Sequence, residues 1–127
     1  MERLTNLNEA QRKAVECVDG PLLILAGAGS GKTRVSTHRI AYLIQEKLAA
    51  PWEILALTFT NKAAAEMRSR IEELVGKIPG MWAATFHAAA VRLIRENAAL
   101  LGLTSSFAIY DDGDQQTVVK NVMRELQ

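Results

Sequence analysis

Lys32 and Thr33 stand at the end of the glycine-rich stretch "GAGSGKT", residues 27–33, where an ammonium, a hydroxyl and flexible backbone together suit a phosphate group. The pattern Ala26-x-x-x-x-Gly31-Lys32-Thr33 matches the P-loop form, with alanine at the usual first glycine. With Ala or Gly allowed first, a chance match somewhere in a chain this long is on the order of one in a hundred. The backbone N–H groups from Gly29 through Ser30 and Gly31 to Thr33 would hold a β-phosphate, Lys32 would reach the β and γ oxygens, and the Thr33 hydroxyl would bind Mg²⁺. Gly27 and Ala28 complete the loop, and Ala26 needs only to be small. A dinucleotide loop is not met, because Lys32 follows where the third glycine of GxGxxG should be. A plain strand-to-helix turn uses one glycine, and each extra one costs roughly 0.5–1 kcal/mol of backbone entropy against a total stability of ~5–15 kcal/mol.

Such a loop needs a strand before it and a helix after it. Residues 22–26, "LLILA", read as a covered parallel strand, and Ile40, Leu43 and Ile44 recur on one face of the helix starting at Lys32. Upstream, "LNEAQRKAVECV" begins a helix with Asn8 as N-cap and Gln11 three residues on, a capping-box spacing. Downstream, residues 54–60 read as a second strand. Asn61 can cap a helix in which Met67, Ile71, Leu74 and Val75 share a face, stopped by Gly76. Residues 81–86 read as a third strand, followed by a helix with Val91, Ile94, Ala98 and Leu101 inward and Gly102 as its stop. Residues 107–110 read as a fourth strand, and Val118, Val119, Val122, Met123 and Leu126 mark a last amphipathic helix running to the C-terminus. Strands alternating with helices predict an α/β fold. The absence of a final glycine or proline stop suggests a piece of something longer.

The 127 residues, 49% of them hydrophobic and 23% charged, suit one globular domain with its own core. Fifteen basic against 14 acidic residues give a net charge of +1, so any case for a nucleic-acid partner must come from placed residues. Cys17 is the sole cysteine, which excludes an intrachain disulfide and suits a reducing, cytoplasmic setting. No apolar run reaches the ~18 residues of a membrane span, and the N-terminus lacks the order of a signal peptide.

Five segments in order, "LNEAQRKAV", "AGAGSGKTRV", "ILALTFTNKAAAEM", "ATFHAAAVRLI" and "FAIYDDGDQ", resemble the start of UvrD/Rep/PcrA-type superfamily-1 DNA helicases. The likeness runs from Leu7 to about Gln115. It implies a P-loop NTPase of RecA-like, three-layer build, a parallel sheet flanked by helices and incomplete at the C-terminus. Residues 1–110 would be the N-terminal half of the first RecA-like ATP-binding domain and 111–127 the start of an inserted helical subdomain. ATP and Mg²⁺ are the implied cofactors. Gln11 would hydrogen-bond the adenine, an edge suited to an amide with both a donor and an acceptor, and Arg34 would lie near the base. Phe59 would stack on a base of single-stranded DNA, a contact worth ~1–3 kcal/mol. Thr58, Thr60, Asn61 and Lys62 would meet its phosphates, and Thr85 and His87 its backbone. In the residues alone, Phe59 reads rather as core at a strand end, Asn61 as a helix cap and His87 as a cap or structural residue, and only the resemblance favours the DNA contacts. After "TFH" the family commonly carries serine and then cysteine two places on. Ala88 and Ala90 stand there instead, so position 88 offers no phosphate donor. His38, Tyr42, Trp52 and Trp82 match no catalytic role.

The resemblance further implies a 3′ to 5′ translocase acting on single-stranded DNA and duplex junctions in repair or replication. Its partners would be downstream domains of the same chain and repair or replication proteins. Hydrolysis needs a carboxylate on Mg²⁺, a second acid and usually an arginine. Asp111 and Asp112 after "FAIY" could pass for a metal-binding strand end, but the family's own acids lie beyond this segment, so this chain alone is expected not to turn over ATP. Two other readings stay open. One is a self-contained small P-loop NTPase or nucleotide kinase with Asp111 as metal ligand; the other is a non-catalytic, nucleotide-responsive binding module.

Overall fold

Short-range signals set the first helix. Asn8 accepts from the Gln11 backbone N–H at 2.9 Å and its own N–H donates to Gln11 Oε1 at 3.0 Å, a complete capping box opening α1 (Glu9–Glu16). The computed structural model describes residues 6–126, which form two compact units, one through Ala89 and the other from Ala90. In the first unit, α1 is followed by α2 (Lys32–Gln45), a 3₁₀ turn (Pro51–Glu53), β1 (Leu55–Thr58), α3 (Asn61–Val75) and β2 (Trp82–Thr85). Arg39 on α2 donates to the carbonyls of Ala14, at 2.9 Å, and of Cys17, which closes the C-terminal end of α1 against α2.

The two strands pair in parallel with Leu55 opposite Trp82 and Thr58 opposite Thr85, joined through α3. Parallel strands need such a crossover helix, and α3 supplies the apolar stripe that covers them. Met67 and Ile71 of that stripe are buried with Ala56, Ile78 and Met81, while Ile40, Ile44, Ile54 and Val75 pack around them. A smaller cluster joins Leu7 and Val15 to Val35 of α2, with Ile24 and Tyr42 at its margin. Arg68 ties α3 to the start of β2 by donating to the Met81 carbonyl at 3.1 Å.

The second unit carries most of α4 (Phe86–Glu96), a 3₁₀ turn (Ala98–Leu101) and α5 (Asp112–Glu125). The helix expected to run on to Gly102 thus ends as α-helix at Glu96; Ala98 is buried but Leu101 is exposed. Asp111 caps α5 through a box with Asp114. The apolar positions of α5 are all exposed, so the helix is present but its stripe is uncovered among the described residues. Its expected extension to the C-terminus reaches Gln127, outside the described residues.

Two of the four expected strands are not formed. Residues 22–26 and 107–110 make no sheet pairing among the described residues, and the sheet has two strands, not four. A strand exists through a neighbour's hydrogen bonds, and neither run has one here. Residues 22–26 still alternate as extended chain does: Ile24 turns to the small cluster while Leu23 and Leu25 are 79% and 86% exposed. Thr60, rather than Asn61, caps α3 by accepting from the Ala63 N–H at 3.1 Å, which moves Asn61 to the first helical position. No helix of the described residues is long and apolar enough to cross a membrane.

Candidate nucleotide and nucleic-acid sites

The loop between residue 26 and α2 is exposed and folded back on itself. Lys32 Nζ donates to the carbonyls of Ala26 and Gly27, both at 2.8 Å, and Ser30 Oγ donates to Gly27 at 2.6 Å. Gly29 and Gly31 hold positive φ of 75° and 86°, which only glycine adopts without strain. Gly27 is different: its φ is not positive and a Cβ there would meet nothing within 4 Å, so the loop itself does not demand a glycine at that place.

The N-terminus of α2 is built to be left open. Asn8, Thr60 and Asp111 cap α1, α3 and α5 with side chains, whereas Gly31 heads α2 with none. The first backbone hydrogen bond of α2 runs from Val35 N–H to Gly31 at 2.9 Å, so the N–H groups of Lys32, Thr33 and Arg34 have no partner within the helix. N–H groups free of intrahelical partners, the positive end of a helix dipole and an ammonium at one loop are the features that favour an anion. Thr33 is exposed in that first turn, as a hydroxyl ligand to Mg²⁺ would need to be. No group of three or more His, Cys, Asp or Glu able to hold a metal occurs among the described residues, and Asp111 serves as a helix cap.

Gln11 lies against this loop. Its Nε2 donates to the Ser30 carbonyl at 3.1 Å, so the capping-box residue and the loop are in direct contact. Arg34 is exposed at the start of α2, where its carbonyl accepts from Thr37 Oγ1 and His38 Nδ1.

A second surface forms where the strands end. Because Thr58 and Thr85 are opposite each other, Phe59 and Phe86 emerge side by side, with ring centroids 5.8 Å apart and planes tilted by 48°. Phe59 is 92% exposed and Phe86 53%, an unusual placement for two aromatic rings in a core-poor domain. Phe86 was not among the residues singled out by sequence, because it reads as the last residue of a buried strand. The residue pattern "TFT" and "TFH" after two strands was the available signal. Thr85 Oγ1 accepts from the Ala88 N–H at 3.2 Å, so Thr60 and Thr85 both cap helices at this end and each keeps its hydroxyl proton. The Thr58 proton goes instead to the Thr60 carbonyl at 3.0 Å. Asn61, Lys62 and His87 are exposed in the first turns of α3 and α4; Lys62 makes only a loose 4.0 Å pair with Glu66.

Residues 7–127 match the UvrD/REP helicase N-terminal domain. The chain is 53% identical to the ATP-dependent DNA helicase PcrA of Bacillus subtilis over 125 residues, covering 96% of this chain and 17% of that protein. It is 53% identical over 120 residues to the protein of the same name from Staphylococcus epidermidis, covering 94% of this chain and 16% of the relative. With that of Staphylococcus aureus it shares 51% over 122 residues, 95% of this chain and 17% of the relative. The chain therefore spans about a sixth of the length of these relatives. With a family match over nearly every residue and relatives more than half identical across it, the chain belongs to the UvrD/REP helicase N-terminal domain family.

Proposed function

We propose that this chain is the ATP-binding N-terminal part of an ATP-dependent DNA helicase that moves 3′ to 5′ on single-stranded DNA in repair or replication. The single observation that carries the nucleotide half is the uncapped N-terminus of α2 beneath a glycine loop that holds Lys32. Lys32 would leave the Ala26 and Gly27 carbonyls for phosphate oxygens, exchanging neutral acceptors for charged ones, which make shorter and stronger hydrogen bonds. The N–H groups of Lys32 and Thr33 would hold the phosphates in place. Mg²⁺ on Thr33 would supply neutralisation of phosphate charge. Gly27, which the free loop does not require, would allow a phosphate to approach the backbone. The build we infer is a RecA-like three-layer domain, to which further strands would be added beside the two described.

The strand-end surface supports the DNA half. Phe59 and Phe86 offer faces for bases, and Thr60, Thr85, Asn61, Lys62 and His87 surround them with donors for a phosphate backbone. Duplex junctions, downstream domains of a longer chain, and repair or replication proteins would be its partners, in the cytoplasm. As a small self-contained NTPase it would need a metal-binding acid; Asp111 caps α5 through Oδ1 and keeps its other oxygen, so turnover decides that reading.

Steady-state Mg-ATP turnover with and without oligo-dT, beside Lys32→Ala, tests the reading. The expected result is ATP binding that depends on Lys32 and no turnover. Turnover by the isolated chain, abolished by Lys32→Ala and Asp111→Ala alike, would replace it with the self-contained enzyme.

A further inference from the structure

One side chain joins α1 to the phosphate loop. The Asn8 N–H donates to Gln11 Oε1 at 3.0 Å, and on the other side of the same amide Nε2 donates to the Ser30 carbonyl at 3.1 Å. The reversed amide would set N–H against N–H and oxygen against oxygen, so both contacts select the same orientation. Ser30 C=O and Gly31 N–H belong to one planar trans peptide and point in opposite directions. Drawing the carbonyl toward Gln11 therefore turns the Gly31 N–H away from α1. The left-handed Gly31 at φ 86° completes this turn, and a Cβ there would stand 3.0 Å from Gln11 Nε2, so a side chain at this place would press on the link. Ser30 Oγ on the Gly27 carbonyl closes the loop from the other side.

We propose that Gln11 is a positioning residue for phosphate binding, holding the Ser30 carbonyl so that the Gly31 N–H and the loop are set for an anion before any base arrives. This rests on the nucleotide reading above and adds to it a task that needs no adenine. The amide retains a second proton and a second lone pair for a base edge, so one side chain links the two ends of the ligand.

The test is calorimetric titration of the chain with ATP and with tripolyphosphate, which has no base, in the wild type, Gln11→Ala and Asn8→Ala. Hydrogen exchange of the 27–33 amides without ligand is measured alongside. Gln11→Ala is expected to weaken tripolyphosphate roughly five- to ten-fold for one lost hydrogen bond, to weaken ATP by at least that factor because the base contact goes with it, and to speed loop exchange. Asn8→Ala, which loses a cap but keeps the link to Ser30, is expected to change tripolyphosphate binding by less than about two-fold. A loss confined to ATP would overturn the proposal and leave Gln11 as a base contact. Equal losses from Asn8→Ala would reduce it to a helix cap. If the wild type binds neither ligand, the nucleotide reading fails by itself and loop exchange decides the link. Gln11→Glu then serves, since it keeps the acceptor for Asn8 but faces Ser30 with an oxygen; unchanged loop exchange in this variant overturns the proposal.

Discussion

Glycines at 27 and 31 do different work within one loop. Gly31 is required by its positive φ and by the amide pressed against it, so Gly31→Ala should lower stability by about 1 kcal/mol or more, read as a fall in urea midpoint. Gly27→Ala should leave that midpoint unchanged yet weaken ATP, because its open space is needed only when a phosphate comes close. A destabilised Gly27→Ala would show that the free loop has its own need for glycine. At the strand ends, Phe59→Ala and Phe86→Ala should each weaken oligo-dT binding by roughly ten-fold, in the range of ~1–3 kcal/mol per stacked base, with little change in stability because both rings are already exposed. Fluorescence anisotropy would measure it, and an effect of Phe59 alone would remove Phe86 from the surface. The chemistry of the loop was legible in residue types, since glycine, lysine and threonine have few other reasons to meet at that spacing. Phe86 was not, because its value comes from register with Phe59 across two strands 27 residues apart in pairing.

Among the elements, α3 is the one on which the first unit depends. It packs beside α2 and over both strands, and Ile71 at its centre is fully buried. Ile71→Ala should cost about 2–5 kcal/mol, a large share of ~5–15 kcal/mol in total. Loss of the cooperative thermal transition would be the sign, and a shift of only a few degrees would mean that α3 is held elsewhere. Helices were legible because their signals are local: Asn8 with Gln11, the Met67 and Ile71 spacing, Gly76 as stop. Even so, the cap of α3 moved by one residue, because Thr60 and Asn61 are both good caps and only the backbone turn decides between them. Strands were harder. Residues 22–26 are apolar throughout and 55–58 include Thr58, yet only the second finds a neighbour, and pairing is a property of two segments at once.

Seen as a whole, the molecule leaves much apolar surface in water. Leu23 and Leu25 project from an extended run, and Val119 and Met123 from α5, with Leu126 at its C-cap. Exposed apolar patches of this kind favour association, so the chain should sediment as larger species with rising concentration. Leu23→Lys with Leu25→Lys should reduce that tendency, with each surface change worth within about 0.5 kcal/mol of stability; unaltered sedimentation would place the sticky surface elsewhere. The β1, α3 and β2 segment has the opposite character, since its core is closed by its own residues and by Ile40 and Ile44 of the preceding α2. Local contacts close small loops and form early. A chain leaving the ribosome would thus have α1, the phosphate loop and α2, whose mutual contacts lie within residues 7–42, in hand before β1 is made, and the strand–helix–strand segment would close on them once β2 has emerged.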